Sequence, residues 1–390
     1  MTVNNNKQAV NLNSFRTLSA AIYMGVVGAE VFIVQPGFVQ GMARYLHFSE
    51  SNAGDIASAE MWGIALTTVL LTFFASRLDW HHVLRFSLVT MIVANVACIF
   101  TDHALAFGIW RFIAGFGAGG AVSLSFTVIG LTDKPDRNFG YYIMWVLFYG
   151  AVVLPAMPSI YQFVGMIGML IFFAALPAAA LLFMHRLPHS GEEHVQVEED
   201  AVDLSWTYKG MAIASIFIYF VAQGVVWAYL FFIGTSGGGT EQQVANGLTA
   251  SQFAGVAGGF TVAMLGHRAG RVAPLSLSIL GSFVPLFFLF GQMGIIIYTA
   301  AVCVYNYSWN VANPYYMAVM ASFDRTGRVV VYAVAGQMLG LANGPWIAAR
   351  IISPGHYSGV IWLGIALFIV SLVLILPPVL RQHRLAVQPA

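Results

Sequence analysis

Three ionisable residues stand in stretches that are otherwise apolar. FGIWRFIAGFGAGGAV, Phe107 to Val122, carries Arg111 and no other charge, while Glu30 and Glu60 interrupt two other apolar runs. A charge at the centre of a bilayer costs about 3 kcal/mol on the insertion scale, so each must face a wet cavity or a partner. Burial favours the protonated form of a carboxyl and a neighbouring arginine favours the ionised form. A site where these effects compete can load and release a proton. Glu30 is therefore assigned as the protonatable group, Arg111 as its electrostatic modulator, and Glu60 as a further coupling carboxylate at the outer rim between the two halves of the chain.

A second pattern suits recognition of a solute. Asn306, Asn310 and Asn313 recur at i, i+4 and i+7 in YNYSWNVANPYY, Tyr305 to Tyr316, so they share one helical face. Three carboxamides facing lipid would be costly, so that face should look into the protein. Trp309 follows on the adjoining face, and Tyr219, Gln223 and Trp227 recur every fourth residue elsewhere. With Tyr23, these residues form an expected substrate surface of flat rings and a few amides. It favours a hydrophobic or aromatic solute over a sugar, which needs denser hydrogen bonding. The charges are ambiguous, Glu30 favouring a cation and Arg111 an anion. Tyr315 and Tyr316 fall late enough in the run to be interfacial, and Pro314 is expected to break a backbone bond there.

The elements that must position these groups are long apolar runs. The 390 residues are 59% hydrophobic and only 8% charged, with a net charge of +1. A soluble domain carries about 25% charged residues, so hydrocarbon must cover much of this surface, and the near-neutral charge argues against a nucleic-acid partner. Cys98 and Cys303 lie in apolar segments and read as inert core residues. Neither HExxH, nor a Walker loop, nor a nucleophile elbow occurs, which argues against an enzyme and against ATP as the energy source. The short polar N-terminus shows no cleavable leader.

Twelve runs are long enough to cross ~30 Å of hydrocarbon as helices: 17–42, 53–76, 83–101, 105–130, 139–161, 164–184, 209–233, 247–266, 273–291, 294–320, 329–351 and 358–380. With both termini on one side, that side collects 14 of the 17 lysines and arginines and the other side only Arg44 and Arg350. The bias predicts cytoplasmic termini. On these spans Arg111 lies roughly 9 Å, Glu60 roughly 10 Å and Glu30 roughly 18 Å from the outer surface. The acidic stretch from His185 to Trp206 reads as a solvated linker between residues 1–184 and 207–390.

The two halves repeat. Asp79, between spans two and three, aligns with His267, between spans eight and nine, at an offset of 188; DKPDR (Asp133–Arg137) aligns with DRTGR (Asp324–Arg328) at 191. Two parallel six-helix units related by an axis along the membrane normal give this spacing. The chain here resembles the major facilitator superfamily of secondary transporters. That family carries G-x-x-x-D-R-x-G-R-R/K after the second helix. This chain keeps Asp79, with Ala75, Trp80 and His82 at other motif positions, and keeps Arg268, Gly270 and Arg271 in the second copy. Arg111 with Gly115, Gly117 and Gly119 matches the family's fourth helix.

The resemblance implies an all-α membrane protein of twelve helices in two pseudo-symmetric bundles, with helices one, four, seven and ten lining a central cavity. It implies a cytoplasmic gate at Asp79, Arg85, Asp133, Arg137, Arg268, Arg271, Asp324 and Arg328. A glutamate on helix one with an arginine on helix four resembles the drug/proton antiporter branch, although the fifth helix has only Gly150, Pro155 and Pro158 of the exporter pattern G-P-x-x-G-G. The expected function is proton-coupled efflux of a hydrophobic or aromatic molecule by alternating access. Proton-coupled uptake of an aromatic or carboxylate nutrient is the alternative, and a non-transporting receptor a remote one. The expected partners are the solute, protons and the lipid bilayer; the expected state is a monomer in the inner (plasma) membrane, driven by the proton gradient without a cofactor.

Overall fold

The computed structural model of the protein describes residues 11–74, 77–190, 202–265, 270–324 and 328–387. Among them run thirteen α-helices: α1 (Phe15–Ile33), α2 (Gln35–Tyr45), α3 (Glu50–Phe74), α4 (Trp80–Ile99), α5 (Ala104–Gly130), α6 (Pro135–Leu181), α7 (Trp206–Trp227), α8 (Leu230–Ser236), α9 (Glu241–Leu265), α10 (Val272–Phe283), α11 (Gly294–Ala321), α12 (Arg328–Ile351) and α13 (Ser358–Val387). Nine helical stretches among the described residues are long and apolar enough to cross a membrane.

One of these makes two passes. The 47 residues of α6 would reach ~70 Å as a straight rod, more than twice the hydrocarbon thickness. At Gly165 the backbone turns to φ 65°, ψ −167°, a conformation open to glycine. Tyr149 and Phe172 would stand ~35 Å apart on a straight helix, yet their rings stack at 6.5 Å. The chain reverses between them. With this reversal and the more polar α11 and α12, twelve passes are accounted for.

Three expected spans are not continuous. The first breaks at Val34 into α1 and α2. Pro36 explains the break: it lacks an N–H, and its ring clashes with the carbonyl four residues back, that of Phe32. The freed Phe32 carbonyl accepts the indole N–H of Trp227 from α7 at 3.0 Å. The seventh span divides into α7 and α8, and the ninth ends in a 3-10 turn over Val284–Leu289. By contrast, α11 passes through Pro314 without ending.

Within the first half, α5 packs against α1, α3 and α4; within the second, α7 packs against α12 and α13, and α9 against α11. Glycine sets the closest approach. A Cβ on Gly115 of α5 would strike the backbone of Glu60 on α3, and one on Gly63 would strike that of Phe112. Backbone cannot yield as a side-chain tip can. Gly115→Ala should therefore cost about 1–3 kcal/mol, read as a lower apparent melting temperature in detergent; an unchanged melting temperature would refute the backbone contact.

The halves meet along α3–α12 and α6–α9. Among the described residues, their direct polar contacts lie from mid-membrane to the face opposite the chain termini. Arg44 pairs with Glu241, which also accepts from Gln40 Nε2 at 2.8 Å. Arg350 pairs with Asp55 at 2.6 Å, and Tyr357 donates to Glu50 Oε1 at 2.7 Å. Ser58 donates to the Ala342 carbonyl at 2.6 Å. The molecule is shut on this far face. Part-exposed ion pairs are each worth ~0–1 kcal/mol, so together they bias an equilibrium rather than lock it. In a background with Cys98 and Cys303 replaced by serine, the pair Glu241→Gln and Arg350→Gln should raise alkylation of Ala349→Cys, buried in this seam where α12 faces Gly54 of α3, by about 2–5-fold. Unchanged alkylation would show that the clasp does not set far-face opening.

Candidate functional site

Glu30, Glu60 and Arg111 are all buried, at 1%, 2% and 0% exposure. Their pairing differs from the expected one. Arg111 is committed to Glu60: Nη2 bonds Oε1, and Nε donates to Oε2 at 3.2 Å. Its Nη1 donates to Asn95 Oδ1 at 2.6 Å, and its guanidinium lies 5.2 Å from the ring centre of Phe38. Asn95 in turn donates to the carbonyls of Met91 and Phe173. Glu60 is thus inside the first half and not at a rim between halves, because Gly63 and Gly115 draw α3 and α5 into backbone contact beside it. Arg111 ties α3, α4 and α5 together.

Glu30 takes no hydrogen bond from a protein group at either oxygen. It shares a face of α1 with Ile33, three residues on. Ile33 meets Gly150 of α6, where a Cβ would lie 2.6 Å from Ile33 Cγ2 and 3.1 Å from both Cδ and Oε1 of Gln252 on α9. Both amide atoms of Gln252, the Tyr149 hydroxyl, Gln223 Oε1 and Asn313 Oδ1 are also without protein hydrogen bonds. Beside Ile33, Phe32 forms with Trp309 and Trp227 a chain of edge-to-face rings, with centroids 5.9 and 5.8 Å apart. This junction of α1, α6 and α9, with its unpartnered polar groups and the rings of Phe32, Trp227 and Trp309 beside it, is the candidate solute chamber at the seam of the halves. Two apolar grooves of about 480 and 580 Å³ lie elsewhere, and neither is lined by Glu30 or Gln252.

The other expected substrate residues divide. Trp227 and Trp309 line the aromatic wall, and Gln223 and Asn313 each keep a free acceptor. Tyr219 bonds Ser282 and Gln223, and Asn306 binds Ser251 while accepting from Asn310. Tyr23 donates to the Leu176 carbonyl at 3.1 Å and packs on Phe183. Tyr315 and Tyr316 are buried and not interfacial; the Tyr316 hydroxyl sits with Ser215 and Ser371, which draws the end of α11 against α7 and α13. Gln252 and Tyr149 were missed by the sequence reading. Gln252 lies in a weakly amphipathic, glycine-rich helix with no polar stripe to mark it; Tyr149 abuts the Gly150 already singled out.

At the termini face Asp79 caps α4, accepting the amides of His81 and His82 at 2.9 and 3.2 Å. Its other oxygen meets His189 Nδ1 at 3.3 Å, and His189 stacks on His81 at 3.7 Å. Slight burial pushes the Asp79 carboxyl up, but hydrogen bonds from the His82 amide, the His189 ring and the His81 amide, with the His189 charge, outweigh it and hold it below its ordinary value. Its contribution to stability is thus complete at neutral pH and is lost only as pH falls through that lowered value. Asp324 likewise caps α12, accepting from the Arg328 and Val329 amides, and lies 3.8 Å from Lys209 Nζ. The Asp133 amide donates to Asn13, and Arg137 lies over Tyr141. Arg85 is exposed, Arg271 begins α10, and Arg268 lies outside the described residues. These contacts all stay within one half of the chain or reach the adjoining linker.

Comparison with known proteins places this arrangement. The family model described as Major Facilitator Superfamily matches residues 20–233. The structure is similar to that of a D-xylose-proton symporter, with TM-score 0.75 and 14% identity over 93% of this chain and 97% of that one. It is similar to the inward-open xylose transporter XylE from E. coli, with TM-score 0.72 and 16% identity over 91% and 94%. A nucleoside transporter, NupG, gives TM-score 0.71 and 15% identity over 94% and 98%. No curated protein matches in sequence. The chain belongs to the Major Facilitator Superfamily and is an integral membrane transporter, not an enzyme.

Proposed function

We propose that the protein is a proton-coupled antiporter that exports a hydrophobic or aromatic small molecule, with Glu30 as the coupling group. One observation carries this reading. Among the described residues, Glu60 and Arg111 neutralise each other, Lys209 is matched by Asp203 and Asp324, and Glu30 is left as the buried charge without a protein partner. A proton on Glu30 removes that charge, and so does a cationic solute beside it. Two ligands that neutralise one carboxylate exclude each other, and exclusion coupled to alternating access is exchange. The same pairing supports a cation over an anion, since the Arg111 charge is already answered by Glu60. It also accords with the drug/proton antiporter branch.

On this reading residues 1–184 and 207–390 are the moving units and residues 185–206 link them. The positive bias of the termini side puts it in the cytoplasm of a plasma (inner) membrane. The far-face clasp then closes the outer entrance. The chain works as a monomer on the proton gradient, without a cofactor.

The test is purified protein in liposomes enclosing a pH-sensitive dye, given a panel of aromatic amines and aromatic carboxylates, with protein-free liposomes subtracted. Antiport moves protons out as solute enters, so the lumen turns alkaline. An acidified lumen would establish symport and uptake instead, and solute binding without solute or proton movement would leave only a receptor.

A further inference from the structure

A proton accounts for Glu30 but not for its neighbours. Gln252 is 1% exposed with neither amide atom bonded to protein, and the Tyr149 hydroxyl is unpartnered as well. Neither group titrates in the working range of a cell, and neither is hydrogen-bonded to Glu30. Buried polar atoms without partners are costly and uncommon in folded proteins. They are tolerated here at the junction of α1, α6 and α9, where Gly150 brings Ile33 and Gln252 together. The complement to these atoms comes from water or from a ligand, and the aromatic rings beside them suit a ligand.

The inventory of free atoms fixes the chemistry of that ligand. At this junction the two Glu30 oxygens, Gln252 Oε1 and the Tyr149 oxygen accept hydrogen bonds, with Gln223 Oε1 and Asn313 Oδ1 as further free acceptors, while Gln252 Nε2 and the Tyr149 hydroxyl donate. Acceptors and negative charge predominate, so the ligand must be a cation with N–H donors. A quaternary ammonium ion carries the charge but cannot donate, and would bury the acceptors unsatisfied. Close by, the Phe32, Trp309 and Trp227 rings suit a flat apolar group attached to that cation.

We infer that the chamber takes an N–H-bearing organic cation, a primary or secondary arylalkyl ammonium or an amidinium, and that Gln252 and Tyr149 select it against quaternary ammonium ions. The inference rests on the chamber being the transport site, and adds two specificity-determining side chains and a substrate class to it.

Phenethylammonium and its N-methyl, N,N-dimethyl and N,N,N-trimethyl forms make a graded set, all cations at pH 7. Binding to purified protein in lipid nanodiscs is measured by calorimetry. Affinity should fall along the series, by at least about tenfold from the first member to the last, as donors are lost one by one. Methylation also adds bulk, so the decisive comparison is with Gln252→Leu and Tyr149→Phe. Each should flatten the series while the melting temperature stays within a few degrees of wild type, because neither substitution removes a hydrogen bond made by the protein. Equal or tighter binding of the trimethyl form, a series unchanged in both variants, or no binding of any member would overturn the inference. If proton-driven flux of another solute persists in that case, the transport reading survives; if no solute moves protons and Glu30→Gln is silent, that reading fails too.

Discussion

Glu30→Gln should abolish proton-driven accumulation and, because the solute cation shares that carboxylate, weaken solute exchange as well. Glutamine keeps the shape and hydrogen-bonding capacity of the protonated acid but cannot release a proton, so the variant is held in one charge state. A one-unit pH step across a vesicle membrane is worth about 1.4 kcal/mol per proton, which supports about tenfold accumulation at one proton per solute. Wild type in proteoliposomes should approach that ratio; Glu30→Gln should fall to equal concentrations inside and out. Counterflow, the exchange of labelled for unlabelled solute without a gradient, should persist only at raised solute concentration, because the halves can still rock but the cation has lost its counter-charge. The fold should hardly notice: neither Glu30 oxygen is hydrogen-bonded to protein, so no protein contact is lost. The loss would thus be one of coupling and not of stability. Wild-type accumulation in the variant would remove Glu30 from the mechanism.

The sequence revealed the architecture better than the pairings, for a physical reason. Twelve apolar runs, their charge asymmetry and the recurrence of loops at 188 and 191 residues reflect length and composition, which a chain displays linearly. Depth is also linear, and it puts Glu60 and Arg111 near one level with Glu30 deeper. Azimuth is not. Which of two carboxylates Arg111 meets depends on the facing of three helices about their own axes, and that is set by contacts such as Gly63 and Gly115. A signal was present: Gly63 follows Glu60 by three residues and Gly115 follows Arg111 by four, so each charge stands one turn from a glycine able to bring the same two helices together. The break at Val34 was legible too, since Pro36 cannot continue the hydrogen bonding of α1, but the capture of the Phe32 carbonyl by Trp227 depends on the other half of the chain. The asparagine stripe of α11 shows the limit from the other side. Its spacing correctly puts the amides on one inward face, yet Asn306 and Asn310 turn to Ser251 and to each other, and only Asn313 keeps a free oxygen.

Glu60 and Arg111 should behave oppositely to Glu30 when altered. Each is the other's only close counter-charge among the described residues, and both are almost wholly shielded. Arg111→Gln leaves the Glu60 carboxylate buried beside Asn95 with no charge to answer it; Glu60→Gln leaves a guanidinium stranded in the same place. Breaking a buried pair from one side costs about 3–5 kcal/mol, a large share of the stability of a typical domain, and each single variant should show it as a much reduced melting temperature and yield. The double variant Glu60→Gln, Arg111→Gln removes both charges at once and leaves two amides that can bond each other and Asn95. It should therefore be more stable than either single variant, a non-additivity that neighbouring groups show and independent ones do not. Proton-driven accumulation in the double variant then separates architecture from mechanism. If the pair serves only to bind α3 and α5 together, coupling through Glu30 survives its removal. If coupling disappears although the fold is restored, the field of Arg111 reaches Glu30 through the pair, and the three ionisable groups act as one site.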